Sequence, residues 1–317
     1  MRRTFVDNKA PHSQDVWPSP VWVYGDRLFF LLSGKCAQTS SKFVTTALVS
    51  QGREDYNVSM EMKYDNRIGL WTLYTREVRR FLKVKTQTVL APMVTTLLFL
   101  AVFSLALGGN TRMVGDIPFM EFLAPGLVMM AIAQNAFANT SSSIVVAKVQ
   151  GNIVDTLMPP FSAHELTLGI ALGGATRGVA VGFAVALGMS LFVPVSIIHP
   201  GYILYHAVMA SLMLSLIGIM GGIWAEKFDH IAAVTNFIVT PLSFLSGTFY
   251  SIHRLPETAQ IIAHFNPFFY MIDGFRYGFI GHADAKPLIG VIVMAVINIV
   301  LWAGCTRMFH TGYKLKA

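Results

Sequence analysis

Charged residues are scarce in this sequence: Asp, Glu, Lys and Arg together make up only 13% of its 317 residues. Soluble domains carry about 25% charged residues, so the chain has roughly half the charge that a water-facing globule needs. Hydrophobic residues account for 54% of the chain, and the mean hydropathy is +0.54. These values exclude a soluble enzyme, a disordered regulator and a secreted disulfide scaffold, and they indicate an integral membrane protein.

Cysteine is nearly absent as well. Cys36 and Cys305 lie far apart, and neither has a His or Cys companion at ligand spacing, so we expect no metal site and no disulfide framework. The net charge of +7 would suggest nucleic acid as the partner of a soluble chain. In a membrane protein the placement of positive charge reports orientation first, and we expect no nucleic-acid partner.

Catalytic motifs are the third absence. The sequence has no G-x-x-x-x-G-K-[ST] phosphate loop, no H-E-x-x-H and no G-x-S-x-G, so we predict no catalytic residue and no ATPase site of its own. No Asp or Glu lies in the middle of a long apolar stretch, where ion-coupled carriers usually keep carboxylates for the coupling ion. Any pumping must therefore be driven by another subunit.

Long stretches almost free of charge are what the sequence has instead. A membrane-spanning helix needs about 20 mostly apolar residues. Six segments qualify, with a single charge, Arg177, in the third: Thr86–Thr111, Phe122–Ala147, Leu166–Ile198, Gly201–Ala225, Ile231–His253 and Pro287–Thr306. We predict an all-α integral membrane fold with six transmembrane helices over residues 86–312 and a cytoplasmic tail over residues 313–317. Barrel strands are excluded because they are short and alternate in polarity.

The chain before the first span divides into two parts. Residues 1–59 are irregular and Pro-broken, and their best apolar run is too short for a signal peptide. We expect this part to be poorly ordered, or to lie upstream of a true start at Met60 or Met62. Residues 60–85 predict a basic amphipathic helix that lies on the membrane surface, with a cytosolic helix that covers a partner as the alternative. The apolar face of this helix contains Leu70, Tyr74, Val78, Phe81 and Leu82. The opposite, mostly basic face contains Thr72, Arg76, Arg79, Arg80 and Lys83.

The distribution of Lys and Arg predicts the orientation. If both termini lie on one side, the segments on that side hold twelve Lys and Arg residues and the opposite segments hold four. Cytoplasmic segments of membrane proteins carry the excess of positive charge. We therefore expect a multi-pass protein with both termini in the cytoplasm.

Three features inside the spans are candidates for packing or for a transport pathway. Gly174, Gly178 and Gly182 form a row of small residues at four-residue spacing, which predicts close helix packing within the chain, with a subunit or translocation interface as the alternative. Arg177 either faces a bundle interior or a water-filled cavity, or reaches back to the inner headgroups. Pro241 should kink the fifth span because it lacks a backbone N–H.

Two loops carry the more specific patterns. In the inner loop, 148–165, an amphipathic turn of helix from Gln150 to Leu157 should stop at Pro159 and Pro160. The outer segment, 251–286, is too polar and Pro-broken to cross the membrane, yet it is rich in aromatic residues. We expect it to form re-entrant helices that dip into the outer leaflet, where aromatic rings are favoured.

Taken together, these features resemble the ABC-2 type transport permeases, the membrane subunits of ATP-binding-cassette exporters. The resemblance covers about residues 62–312. Within the family, the chain is most similar to a bacterial inner-membrane branch whose substrate is unassigned or described as multidrug. It rests on the amphipathic leader and on four motifs: Glu121-Phe-Leu-Ala-Pro-Gly126, Asn152-Ile-Val-Asp-Thr-Leu-Met-Pro159, Arg177-Gly178 and the segment from Pro241 to Arg276.

The resemblance implies a half-transporter. Two permease copies would form a homodimer in the bacterial inner membrane, in contact with its lipids, and separate nucleotide-binding ATPase subunits would hold ATP and Mg, so that this chain binds no cofactor. The inner loop helix would couple to the ATPase through Gln150, Asn152, Ile153, Asp155, Leu157 and Pro159. The outer gate would contain Gly247, Tyr250, Pro256, Asn266, Pro267, Tyr270 and Arg276. The amphipathic leader would frame a lateral entry from the inner leaflet.

The resulting prediction is ATP-driven export of an amphipathic or lipid-linked compound. Related permeases export polysaccharides, lipo-oligosaccharides such as nodulation factors, or drugs, so polysaccharide or lipo-oligosaccharide export is the first alternative. An ion-coupled carrier that works alone is a second. A membrane enzyme acting on lipid-linked substrates is the third, and its candidate groups are His164, Glu165, His253 and His264.

Overall fold

The computed structural model describes residues 66–106, 113–115 and 117–315, and this part of the chain is almost entirely helical. The prediction for residues 1–59 lies outside the described residues. The α-helices in chain order are α1 (Arg67–Leu82), α2 (Ala91–Ala106), α3 (Phe119–Val149), α4 (Ile153–Leu157), α5 (Ala163–Met189), α6 (Pro200–Trp224), α7 (Phe228–Val234), α8 (Thr240–Leu245), α9 (Glu257–Phe265), α10 (Pro267–Ile280) and α11 (Pro287–Thr311).

Three kinds of shorter element complete the described part. Strands β1 (Met113–Val114) and β2 (Ile117–Pro118) form a small antiparallel hairpin, in which Met113 pairs with Pro118 and Val114 pairs with Ile117. A 3₁₀ turn covers Ile252–Arg254. Two π-helical stretches join neighbouring helices into longer ones: Thr86–Leu90 leads into α2, and Thr235–Val239 links α7 to α8.

Six helical stretches of the described residues are long and apolar enough to cross a membrane. They are Thr86–Ala106, Phe119–Val149, Ala163–Met189, Pro200–Trp224, Phe228–Leu245 and Pro287–Thr311. The predicted all-α membrane fold with six spans is therefore confirmed.

Two of the predicted spans extend beyond their helices. The third ends at Met189 rather than Ile198, and the fifth ends at Leu245 rather than His253. Absence of charge marks residues that lipid tolerates, but it does not show where helical hydrogen bonding stops. After Leu245 the chain turns at Gly247, whose φ of +77° lies in the left-handed region that glycine adopts without a Cβ penalty.

Helix α3 is the centre of the bundle and packs most extensively against α5 and α6. In the most apolar 18-residue stretch of the second span, 72% of the residues are buried. The same share is only 11% in the first span and 11% in the fifth. The large side chains of Phe122, Phe137 and Met129 are completely buried along α3. The first and fifth spans therefore lie at the periphery of the monomer and leave apolar surface uncovered.

The row of glycines in α5 lets three helix backbones approach closely. A Cβ at Gly174 would lie 2.5 Å from Ser215 Oγ of α6 and 2.5 Å from Thr140 Cγ2 of α3. A Cβ at Gly178 would lie 2.9 Å from Ala136 Cβ, also of α3. Gly182 faces Ile132 of α3 still more tightly. In the monomer the row thus packs α5 against α3 and α6.

Pro241 lies within a continuous fifth span, directly after the π-helical stretch Thr235–Val239. Pro92 in the first span likewise follows a π-helical stretch, Thr86–Leu90. A proline cannot donate to the carbonyl four residues earlier, and its ring crowds that carbonyl. A wider π turn accommodates the conflict without ending the helix. The fifth span therefore continues through Pro241, with a changed hydrogen-bonding pattern just before it, and the predicted kink stays a prediction.

Candidate functional site

The inner loop contains a short helix, but the predicted start of that helix at Gln150 is wrong. Helix α3 continues to Val149 with Gln150 as its C-cap, and α4 begins only at Ile153. The reason is Gly151, whose φ of +74° ends α3 and separates the two helices. The predicted end at Leu157, just before two prolines, agrees with the structure.

Helix α4 presents one face to water and packs the other against the protein. Ile153 and Thr156 are buried, at 6% and 9% exposure, whereas the apolar side chains of Val154 and Met158 are 51% and 76% exposed. Among the six predicted coupling residues, the exposed ones are Gln150, Asn152 and Asp155, the buried one is Ile153, and the half-buried ones are Leu157 and Pro159. An exposed apolar pair on a short fixed helix is the kind of surface that a protein partner covers.

A buried carboxylate in α1 connects the helices at the end of the bundle that carries α4. Glu77 is only 1% exposed, and its oxygens lie 3.1 Å from Arg80 Nη2 and 3.4 Å from Arg76 Nη2. Ser143 Oγ of α3 donates a further hydrogen bond of 2.9 Å to this carboxylate. The charge of Glu77 is thus compensated by two guanidinium groups and a hydroxyl, as a buried charge requires.

The two arginines extend this network to α3 and α4. Arg76 Nη1 donates to Thr156 Oγ1 of α4 at 3.2 Å, and Arg80 Nη2 donates to the carbonyl oxygen of Asn139 in α3 at 2.6 Å. A continuous set of polar contacts therefore connects α4 through α1 to α3. The sequence analysis missed Glu77, although it is the one acidic residue of α1 and lies three residues before Arg80.

Helix α1 itself packs along α5, which the amphipathic pattern did not specify. Leu73 and Phe81 are both 4% exposed, and Tyr74 OH lies 3.0 Å from Thr176 Oγ1 of α5. A Cβ at Gly169 of α5 would lie 2.6 Å from Leu73 Cδ2, so the absence of a side chain makes this approach possible. The leader is therefore fixed to the bundle, while its placement on a membrane surface stays a prediction.

The predicted outer gate residues lie in and around α8, α9 and α10. Asn266 caps α10 by accepting a hydrogen bond of 3.1 Å from the Phe268 N–H, and its Nδ2 donates to Ser246 Oγ at 2.8 Å. Pro267 occupies the first turn of α10, where its fixed φ suits a helix start. The start of α10 is thereby tied to the end of α8.

Arg276 is a fully buried charged residue of the outer segment. Its side chain is 1% exposed, its Nη2 donates to the Gly247 carbonyl at 2.6 Å, and its guanidinium carbon lies 3.8 Å from the ring centroid of Phe122. Backbone acceptor and aromatic face together replace part of the hydration that the cation loses. The structure thus brings two predicted gate residues, Arg276 and Gly247, into direct contact.

The side chains of the other three predicted gate residues have different partners. Tyr250 OH donates to the Leu245 carbonyl at 3.2 Å, and Pro256 is the N-cap of α9. The Tyr270 ring packs against the Phe269 ring with centroids 5.0 Å apart. These residues surround the turn between α8 and α10 rather than forming one cluster.

Two aspartates that the sequence analysis missed fasten the outer helices. Asp273 accepts hydrogen bonds from the N–H groups of Asp284 at 2.8 Å and Ala285 at 3.0 Å. Asp284 in turn accepts from Ser251 Oγ and from the Ile252 N–H, each at 2.9 Å. Burial raises the pKa of the Asp273 carboxyl above its ordinary value, although its two backbone donors and Arg276 act in the opposite direction.

The sequence of this chain matches a known family of membrane proteins. The model of the ABC-2 type transporter family matches residues 69–280, which include α1, the inner loop helix and the outer helices. The chain belongs to the ABC-2 type transporter family. The Escherichia coli (strain K12) inner membrane transport permease YadH is 34% identical over 250 residues, which cover 79% of this chain and 98% of the relative.

More distant relatives extend the comparison. Nodulation protein J of Rhizobium leguminosarum bv. trifolii is 23% identical over 240 residues, covering 73% of this chain and 88% of the relative. Nodulation protein J of Neorhizobium galegae is 22% identical over 223 residues, which cover 68% of this chain and 82% of the relative. This chain is thus a multi-pass inner-membrane transport permease of the ABC-2 family, whose members associate with an ATP-binding subunit.

Arg177 is a half-buried charge on α5 of this permease. It projects from the middle of α5, and its Nη2 donates to Asn135 Oδ1 of α3 at 3.2 Å. The side chain lines an open cavity between α2 and α3. Both predicted roles of this charge, in the bundle interior or at the inner headgroups, stay predictions.

Of the four polar groups considered for an enzyme, Glu165, His164 and His264 have structural partners, and His253 is exposed in the 3₁₀ turn. Glu165 forms a capping box with Ser162 at the start of α5, accepting from the Ser162 N–H at 2.7 Å. His164 Nδ1 accepts from Trp302 Nε1 at 3.3 Å, and the His264 ring packs edge-on against Phe269. In the described ranges no group of three or more His, Cys, Asp or Glu side chains is positioned to hold a metal ion.

The segment after α11 is attached to the inner loop that follows α6. Lys314 Nζ lies 3.1 Å from Glu226 Oε1, and Leu315 is buried at 6% exposure. The hydrogen bond from Lys314 lowers the pKa of the Glu226 carboxyl below its ordinary value.

Proposed function

We propose that this permease is one half of an ATP-driven exporter that moves an amphipathic or lipid-linked compound across the inner membrane. A separate ATPase subunit binds ATP and Mg and supplies the energy, so that this chain performs no catalysis and binds no cofactor. Two permease copies form the pathway. The observation that carries the proposal is helix α4, with its exposed apolar pair and its polar connection to the bundle.

Helix α4 has the properties that a mechanical coupling element needs. Val154 and Met158 form an apolar patch for a partner, and exposed Asp155 lies beside them. The opposite face is held by the burial of Ile153 and by the hydrogen bond between Thr156 and Arg76. A displacement of α4 by a bound ATPase would therefore be transmitted to the rest of the permease rather than absorbed by a loose loop.

The contacts of Glu77 supply the transmission route. Arg76 links α4 to Glu77, and Glu77 links to Ser143 of α3 and to Arg80, which holds Asn139 of α3. Helix α3 then runs through the whole bundle to Phe122, which packs under the outer Arg276. In this scheme α3 carries motion from the cytoplasmic surface to the outer gate.

The uncovered spans support a second permease copy. The exposed apolar side chains of the first and fifth spans include Val94, Leu98, Val102, Leu105, Phe237, Ile238 and Leu245. The ring of Phe103 in the first span stacks on the ring of Phe249, which follows the fifth span, with centroids 4.7 Å apart. We propose that the exposed apolar surfaces of these two spans face the partner copy and the surrounding lipids.

The proposed orientation places both termini and α4 in the cytoplasm. Six spans return the chain to its starting side, and the twelve Lys and Arg residues of the α1, α4 and C-terminal side exceed the four of the other side. This distribution is typical of cytoplasmic segments. It also places α4 where a soluble ATPase can reach it.

The test uses the apolar pair of α4. In the purified complex with the ATPase subunit, Val154→Glu combined with Met158→Glu should weaken ATPase binding about tenfold or more, because buried anchors dominate interface energies. The matched control is Met113→Glu, in strand β1 at the opposite end of the bundle, where the methionine is 45% exposed. ATPase binding and nucleotide-driven transport that are unchanged in the α4 variant would overturn the proposed coupling role.

A further inference from the structure

A cavity of about 630 Å³ that is open on one side lies between α1, α2, α3 and α5. Its walls combine polar and apolar groups in an otherwise apolar bundle. The polar residues of its wall include Gln87, Thr95, Gln134, Asn135, Ser142 and Arg177. Polar groups inside a membrane bundle typically mark a pathway or a binding site, because lipid offers them no hydrogen-bond partner.

The wall carries uncompensated positive charge. Two guanidinium groups, those of Arg80 and Arg177, line the cavity, and none of the described residues in its wall is Asp or Glu. Arg80 is already paired with Glu77 at 3.1 Å. Arg177 makes one hydrogen bond, to the amide oxygen of Asn135, and its buried Nε has no acceptor within the described part of the chain. The surplus charge therefore belongs to Arg177.

Arg177 lies where the end of α1 and the start of the first span meet α5. Val84 and Gln87 line the same wall, and Tyr74 OH of α1 lies 3.0 Å from Thr176 Oγ1 of α5. A guanidinium group in this partly apolar setting is costly unless an anion or water accompanies it. The orphaned donor thus points to an anionic group inside the cavity.

The cavity borders apolar surface of the first span that is exposed in the monomer. Thr95, Thr96 and Phe99 of α2 contribute to its wall, while Val94 and Leu98 of the same helix are 48% and 60% exposed. A molecule with a charged head in the cavity can therefore lay an apolar tail along α2. This combination fits an amphiphile better than a small inorganic anion.

We propose that this cavity binds the anionic head of an amphiphile, with a phosphate-type head on Arg177 and an alkyl tail along α2. The inference rests on the proposed function in one respect, that the exported cargo is amphipathic, and it adds the sign of the cargo's charge. The same chemistry occurs in anionic phospholipids of the membrane, so the experiment separates these two sources.

The experiment measures binding to the purified full-length permease in phosphatidylcholine nanodiscs, without nucleotide and without ATPase. The probe is radiolabelled dodecyl phosphate, with dodecyltrimethylammonium as the cationic probe of equal chain length. Wild-type permease should bind dodecyl phosphate at least tenfold more tightly than the cation. Arg177→Gln should weaken dodecyl phosphate binding about tenfold or more, because a charge-assisted hydrogen bond is lost, and Arg177→Lys should retain most of it. Arg307→Gln, at an exposed arginine of α11, is the matched control and should bind as wild type.

Photolabelling of the wild-type chain keeps the test independent of whether Arg177→Gln folds. A dodecyl phosphate with a photoreactive tail should label peptides from residues 87–99 of α2. Labelling confined to other helices, or equal binding of both probes, would overturn the proposal. So would competition by inorganic phosphate at the same concentration as dodecyl phosphate, since the tail would then contribute nothing.

Competition with phosphatidylglycerol distinguishes the two sources of the head. Displacement of dodecyl phosphate by phosphatidylglycerol at equal concentration assigns the cavity to a membrane lipid and overturns its assignment to cargo. Resistance to that lipid supports the cargo assignment. The binding experiment contains no ATPase, so it is independent of the α4 test. If dodecyl phosphate does not bind but α4 still couples to the ATPase, only this inference fails. If dodecyl phosphate binds but α4 does not couple to the ATPase, only the proposed function fails.

Discussion

Neutralising Glu77 tests the polar network between α1, α3 and α4. The carboxylate is 1% exposed, whereas the side chains of its partners Arg80 and Arg76 are 34% and 47% exposed. Removing one member of a fully buried ion pair costs about 3–5 kcal/mol. Because water screens these guanidinium groups, and because glutamine keeps an acceptor for Ser143, we expect Glu77→Gln to cost about 2 kcal/mol.

The assay is thermal unfolding followed by a thiol-reactive dye. Cys305 is completely buried and becomes reactive only when the bundle opens, so a Cys36→Ser background reports on it alone. A loss of about 2 kcal/mol corresponds to a decrease in Tm of about 4–8 °C for a domain of roughly this size. The control Glu257→Gln changes an exposed carboxylate in the first turn of α9 and should lower Tm by about 2 °C or less. A Glu77→Gln protein with the wild-type Tm would refute the reasoning.

Two further substitutions test the packing and the outer gate. Gly174→Ala should cost about 1–3 kcal/mol of stability because its Cβ would overlap the side chains of α3 and α6, whereas Gly201→Ala, with open space around it, should be neutral or slightly stabilising; equal Tm values for the two would contradict the packing. Arg276→Gln should cost about 2–3 kcal/mol because it removes a charged donor from the Gly247 carbonyl and the cation from the Phe122 ring. Hydrogen exchange of residues 246–255 should then increase, and unchanged protection there would show that Arg276 does not hold the gate.

The six spans and the family were predictable because they depend on properties of single segments. Hydropathy along a 20-residue window does not require knowledge of neighbours, and the glycine row of α5 was visible as a spacing. The ends of the spans were less predictable. Nothing in the charge pattern distinguishes helical residues from the turn at Gly247, and the left-handed Gly151 separates α3 from α4 without any change in polarity.

The polar contacts of the site were the least predictable part. Glu77 meets Ser143, 66 residues away, and Arg276 meets Phe122 across 154 positions of the sequence. Such pairs are set by the packing of α1 and α10 on α3, which no local pattern encodes. Asp273 and Asp284 escaped notice for the same reason, since each bonds to backbone N–H groups that any residue type provides.

The central claim is that this permease moves its cargo only when a separate ATPase drives it through α4. The most direct measurement compares proteoliposomes that contain the permease with its ATPase subunit and proteoliposomes that contain the permease alone. The account predicts accumulation of the amphipathic cargo against its gradient only with the ATPase present and ATP being hydrolysed. Uphill transport by the purified permease alone, under an ion gradient and without nucleotide, would contradict it.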